Sequence, residues 1–312
     1  MKGKINTFKE NNKNTQLKGN LMMLVVTMLW GSSYLFMKMG LQTLQGFNIV
    51  ALRFGIASIV AGAIFYKRLK QIDFKSIKYG FILGFILFMT MSTVTIAVKY
   101  TSVSNAGFLF SLAVVFVPLL LAVFERKKPE QKVIVGIGIA LIGIALLTIN
   151  SEFKVSLGDL LIISGALFYA IFIIVTDKVT KHVDSINLGI LELGFAGAFA
   201  LIFSFIFETP QLPSTSEGWM AILGLSIFCS AIGFIGQNIA QKYTPPTQAG
   251  LIFSLEPVFA ALFAFMFFDE VLTKQGYIGA ALVLIGVLFA KMDLKTFKFK
   301  KYTTKLPERF EN

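Results

Sequence analysis

"KYTSVSNAGFLFSL" occupies residues 99–112 and "KYTPPTQAGLIFSL" occupies residues 242–255. The two stretches stand 143 positions apart, and the register holds beyond them without a gap. Val115 falls on Val258, Phe116 on Phe259, Leu119 on Leu262, Phe124 on Phe267, Gly136 on Gly279 and Gly143 on Gly286. Self-similarity sustained at one offset marks a duplicated unit.

Composition names the solvent of that unit. Apolar residues make up 55% of the 312, Phe contributes 33, and charged residues are only 15%. A soluble domain of this size cannot hide so much apolar surface from water, so lipid must cover part of it. Apolar runs long enough to cross a hydrocarbon core of ~30 Å as helices recur along the chain. They fall at residues 21–41, 47–66, 78–98, 103–124, 133–150, 158–176, 187–207, 219–240, 247–268 and 276–292. The reading is an all-α integral membrane protein of ten spans. Residues 21–150 form the first repeat and 158–292 the second, with tails at 1–20 and 293–312. The first run is too long for a signal h-region, lacks an A-x-A exit and leads at once into another span, so it is read as retained. The Lys- and Asn-rich residues 1–20 read as a solvated tail.

Basic residues set the orientation. With the N-terminus in the cytoplasm, nearly all Lys and Arg fall on cytoplasmic segments. The outside receives Lys99, Lys154 and Lys274, while Lys38 and Arg53 lie within spans. The expectation is a multi-pass protein of the cell membrane with both termini inside. The net charge of +12 is then an orientation signal rather than a nucleic-acid footprint. Five spans per repeat is an odd number, so the second copy starts from the opposite face and the halves become inverted repeats. Such halves suit a device that shows one central site to each side in turn.

Inventory argues against enzymes. One His (His182) and one Cys (Cys229) supply no metal site and no His-activated nucleophile, and no G-x-x-x-x-G-K-[ST] is present. No cofactor is expected, and any transport runs on a gradient, with protons as the candidate coupling ion. The sequence does not specify an oligomeric state.

"WGSSYLFMKMG" (Trp30 to Gly40), "LRFGIAS" (Leu52 to Ser58), "KYTSVSNAGF" (Lys99 to Phe108) and "SLEPVFAALFAFMFFDE" (Ser254 to Glu270) together resemble the EamA family of the drug/metabolite transporter superfamily. The resemblance covers about residues 20 to 292. It implies ten helices, two inverted five-helix repeats around a central cavity, and export of amino acids or other small metabolites. Two features depart from the family's usual pattern: Ala113 and Val114 precede a later Pro118 in span four, and span seven carries Glu192.

Cavity candidates are polar and aromatic residues on faces that lipid would penalise. In span one, Trp30, Ser33, Tyr34, Met37 and Lys38 share a face by helical spacing; in span eight, Ser226, Ser230, Gly233, Gln237 and Gln241 do so, with Asn238 alongside. The set chosen for a substrate cavity is Trp30, Tyr34, Lys38, Asn105, Phe168, Tyr169, Gln237, Asn238, Gln241 and Gln248. Helix packing explains Trp30, Tyr34, Gln237 and Gln241 equally well, and explains the serines better. Gly80 and Gly84, and Gly136 and Gly143 with their repeats Gly279 and Gly286, read as close helix contacts.

Ionisable residues inside spans need compensation. Arg53 and Glu256 lie at depths that an Arg side chain can bridge, and the expectation is an ion pair stapling span two to span nine. Glu192, which matches Arg53 at an offset of 139, has no cation at its own depth and is the candidate proton carrier. A small-solute exporter is the leading reading; a flippase for an amphiphile and a non-transporting sensor are the alternatives.

Overall fold

In hydrocarbon a chain must satisfy its backbone polar groups internally, and the apolar runs do so by folding as helices. The computed structural model describes residues 2–97, 100, 107, 109–126, 129–148, 157–268 and 274–291, and among them every regular element is helical. The elements are α1 (Lys2–Gly31), α2 (Ser33–Gly40), α3 (Gly46–Ile64), α4 (Tyr66–Leu69), α5 (Phe74–Ala97), α6 (Ala113–Glu125) and α7 (Gln131–Thr148). Then follow α8 (Leu157–Val179), α9 (Ser185–Phe207), α10 (Ser216–Gly224), α11 (Gly233–Gln241), α12 (Pro246–Phe253), α13 (Glu256–Phe268) and α14 (Lys274–Lys291). Residues Leu225–Ile232 join α10 to α11 as π-helix.

Among the described residues, seven stretches are long and apolar enough to cross a membrane: Thr15–Gly40, Gly46–Ile64, Phe74–Ala97, Leu157–Val179, Ser185–Phe207, Ser216–Gln241 and Pro246–Phe263. Shorter apolar helices, Ala113–Phe124, Gln131–Leu146 and Lys274–Ala290, stand where the fourth, fifth and tenth runs were expected.

Glycine seams hold the bundle together. On α7 and α14, a Cβ at Gly136 would fall 2.7 Å from the Gly286 carbonyl oxygen, and one at Gly143 would fall 2.6 Å from that of Gly279. The partner numbers run in opposite directions, so the two helices are antiparallel. On α3 and α9 the same occurs: Gly197 lies against the Gly55 backbone, while Gly194 lies against Ser58, whose Oγ donates to the Ile190 carbonyl at 3.0 Å. The expected contact role of Gly80 and Gly84 is also seen, on α9: a Cβ at Gly84 would stand 2.6 Å from Phe195 Cβ and 2.8 Å from the Glu192 carbonyl oxygen. Close backbone approach of this kind replaces the hydrophobic drive that lipid removes.

Helix ends facing the loops are capped by carboxylates. Glu208 accepts from Phe47 N and Asn48 N at the start of α3, and Asp184 accepts from Ile186 N and Asn187 N at the start of α9. Two local features go beyond the sequence reading. The segment before residue 20 is helical, and Gln16 Nε2 donates to Gln248 Oε1 at 3.1 Å, because Gly19 lets the helix pack under Thr244. The first span is interrupted at Ser32, whose Oγ turns back to the Leu29 carbonyl at 2.6 Å.

Candidate functional site

The interruption at Ser32 and the π-helical segment meet at the centre of the bundle. A π turn inserts an extra residue and shifts the backbone hydrogen bonds, which alters where the flanking side chains point. Trp30 Nε1 donates to the Cys229 carbonyl in that segment at 2.8 Å, and its indole sits over Gly233, where a Cβ would lie 2.6 Å from Nε1. Arg53 reaches the same segment from α3, its Nε donating to Ser230 Oγ at 2.6 Å, with the guanidinium 5.2 Å from the centre of the Phe54 ring. Cys229 is fully buried, and its thiol contacts Leu29 O at 3.3 Å and Ser32 Oγ at 3.7 Å.

These contacts border a cavity of about 30 Å³. Arg53 and Glu256 are its charged lining, and Trp30, Tyr34, Tyr169, Phe110 and Phe234 are its aromatic lining. Trp30 centres the aromatic wall, 5.1 Å from Phe234, 5.0 Å from Phe253 and 6.1 Å from Tyr169 by ring centroids, and Tyr169 stacks on Phe110 at 5.2 Å. Glu256, at the first turn of α13, has the Tyr34 hydroxyl as its polar neighbour and Arg53 as its charged neighbour. The expected Arg53–Glu256 contact pair is not formed. Ion pairs within 4.0 Å among the described residues lie elsewhere: Arg68–Asp184, Lys132–Glu130 and Lys181–Asp177. Ser230 takes the Arg53 Nε donor, and the two charges face one space and sense each other across it without direct contact.

Of the sequence-chosen residues, the cavity brings together Trp30, Tyr34, Tyr169, Arg53 and Glu256. Gln237, Asn238 and Gln241 are not among its lining residues, although Gln237 neighbours the Tyr169 side chain; they form a buried network in which Gln237 Nε2 donates to Gln241 Oε1 at 2.8 Å, Gln241 Nε2 to the Ile173 carbonyl at 2.7 Å, and Asn238 Nδ2 to Glu192 Oε1 at 2.9 Å. Lys38 is exposed, Phe168 is half-buried outside the cavity lining, and Gln248 is engaged by Gln16. Asn105 and Lys99 lie outside the described residues. Sequence reasoning missed Met91, Val94, Phe110 and Phe234 as lining; all are ordinary apolar residues of a membrane helix and carry no signal. Ser33 and Met37 had one, the helical face shared with Trp30 and Tyr34. A wider depression of about 370 Å³ opens where α8 ends and the α11–α12 turn begins, with Lys178, Lys181 and Lys242 on its rim.

The family model for EamA-like transporters matches the chain twice, over residues 17–149 and 156–292. The chain belongs to the EamA-like transporter family. The two matches divide this EamA protein where the sequence repeat does. An uncharacterized transporter of Archaeoglobus fulgidus is 29% identical over 278 residues, covering 89% of this chain and 87% of its own. The uncharacterized transporter YyaM of Bacillus subtilis is 24% identical over 297 residues, covering 91% and 96%. A crystal structure superposes with a TM-score of 0.77 at 19% identity, over 90% of this chain and 99% of that one, which shows a shared fold. The EamA chain is thus a multi-pass membrane protein of a transporter family.

Proposed function

We propose that this EamA protein is a secondary active or facilitative transporter that exports small zwitterionic metabolites, amino acids and related compounds, across the cell membrane by alternating access. One observation carries the reading: a buried guanidinium and a buried carboxylate line one aromatic-walled cavity without forming an ion pair with each other. Arg53 is placed for a substrate carboxylate, Glu256 for its ammonium group, and the Trp30–Tyr169–Phe110 wall for its side chain. Both protein charges would then be neutralised by the solute that separates them.

Ten spans in two inverted repeats complete the proposal, and the glycine seams support it. Gly136 and Gly143 are the repeat partners of Gly279 and Gly286, and each meets the other's partner. Gly55 and Ser58 stand in the same relation to Gly194 and Gly197 at the offset of 139. Reciprocal contact between equivalent surfaces is the mark of a twofold axis. For antiparallel membrane helices such an axis lies in the membrane plane. A cavity of about 30 Å³ holds only a water or two, whereas small-molecule sites run to roughly 300 Å³ and more. We take this conformation as the contracted one, from which the halves open. With both termini cytoplasmic, the Lys242 depression is the cytoplasmic mouth.

The test is a panel of radiolabelled amino acids, sugars, nucleosides and amphiphiles in proteoliposomes, with and without an imposed proton gradient. Saturable counterflow confined to zwitterions is expected. Counterflow of neutral sugars or of lipids, with none of amino acids, would contradict it.

A further inference from the structure

Glu192 is fully buried, on the face of α9 turned to α11, and takes no part in the cavity. Its Oε1 accepts from Asn238 Nδ2 at 2.9 Å. The two remaining acceptors of this facing pair, Glu192 Oε2 and Asn238 Oδ1, are both buried and have no hydrogen-bond partner. The pair thus leaves two buried acceptor-only atoms with no donor between them, and each forfeits its hydration. A single hydrogen on Glu192 Oε2 removes both faults. The carboxylic acid then donates to Asn238 Oδ1 while the amide donates to Oε1, closing a cyclic two-bond pair.

We propose that Glu192 is a proton-binding site, occupied in this conformation through that pair with Asn238, and that its loading and release couple solute movement to a proton. The coupling role rests on the transporter reading above. The groups facing it leave the proton as the natural balance of its charge. On α3, Arg53 is committed to Ser230 and the cavity. On α5, Lys75, Lys78 and Tyr79 belong to the first turns, away from Gly84, which packs against the Glu192 backbone. On α4 and the loop before α9, Arg68 is paired with Asp184. On the π segment, Cys229 faces Leu29 and Ser32. On α8, Tyr169 is a titratable side chain that senses Glu192, and it brings no positive charge.

The helix that supplies Asn238 also supplies the cavity's anchor points, Cys229 O for Trp30 and Ser230 Oγ for Arg53. Those anchors lie in the π-helical segment and Asn238 lies just beyond it. Losing one residue of π bulge turns the downstream helix by about 100° relative to the upstream part. Such a turn, on opening of the cavity, takes Asn238 off Glu192 and leaves the proton free to depart. One proton bound and one released per cycle closes the balance.

Two readouts test this. Infrared difference spectra of the purified full-length protein at neutral pH should contain a protonated-carboxyl band that vanishes in Glu192→Gln, shifts in Asn238→Leu and persists in Glu256→Gln. Gln at 192 can make the same two bonds to Asn238, so the fold is retained. In proteoliposomes loaded with a radiolabelled amino-acid mixture, Glu192→Gln should keep counterflow within about twofold while losing acceleration by a pH gradient. An unchanged band in Glu192→Gln would overturn the proton site, and an unchanged response to the gradient would overturn the coupling. If the wild type shows no counterflow, the coupling role falls with the transporter reading, and the infrared band alone decides whether Glu192 holds a proton.

Discussion

Glu192 and Glu256 are both carboxyl groups buried in apolar helices, yet their surroundings differ in kind. Glu256 looks into a cavity that it shares with Arg53 and the Tyr34 hydroxyl, on a helix that opens with it. Glu192 looks into a seam, against the Asn238 amide, and is fully buried there. A cavity lets a carboxylate take a partner that comes and goes, whereas a carboxyl packed against an amide is suited to exchanging a proton. On the proposal made above, the same residue type is split between recognition and coupling by what lies within a few ångströms of it.

The largest expected effect separates the two directly. Glu256→Gln or Arg53→Ala removes a charge-assisted contact of about 3 kcal/mol, so zwitterion uptake into proteoliposomes should fall on the order of 100-fold. Glu192→Gln should leave the exchange rate within about twofold. Equal losses in all three variants would erase the distinction.

Next in size come the glycines under each site. A Cβ at Gly31 would press on Phe259 Cβ at 2.6 Å and Ala260 N at 2.9 Å, displacing the helix of Glu256, whereas one at Gly84 would press on the Glu192 carbonyl. Each Gly→Ala should cost roughly 1–3 kcal/mol of stability as overpacking, read as a lower thermal midpoint in detergent. Gly31→Ala should weaken substrate binding and Gly84→Ala the pH response; the reverse assignment would break the comparison.

Smaller still is Trp30→Phe, which keeps the aromatic wall and loses the bond to the Cys229 carbonyl. A change of about 1 kcal/mol, near fivefold in apparent affinity, is expected from uptake kinetics. Lys38→Ala, at an exposed position, should change uptake by less than about twofold; a larger loss would return Lys38 to the site.

Much of the fold was legible in the sequence because it rests on repetition and on hydropathy. Helices stand where the apolar runs lie, and Gly136, Gly143, Gly279 and Gly286 make the contacts that their spacing announces. The site was legible where a side chain is costly in lipid, as with Arg53, Glu256, Trp30 and Tyr169. It was not legible where membrane and cavity ask for the same residue, as with Phe110, Phe234 and Met91. Gln237 and Gln241 are not among the cavity's lining residues for a related reason, since an amide on a membrane helix suits a cavity and a helix seam equally. The extra residue in Leu225–Ile232 leaves no periodic trace in eight positions, so the shift it introduces between Ser230 and Asn238 is visible only in three dimensions.

The division of labour between Arg53 and Glu256 is tested most directly by equilibrium binding to purified protein of three ligands: the best-exchanged amino acid, its decarboxylated amine and its deaminated acid. The wild type should bind the amino acid at least tenfold more tightly than either analogue. Arg53→Ala should abolish the preference over the amine alone, and Glu256→Gln the preference over the acid alone. Variants that keep both preferences, or lose both together, would contradict the assignment of one charge to each end of the substrate.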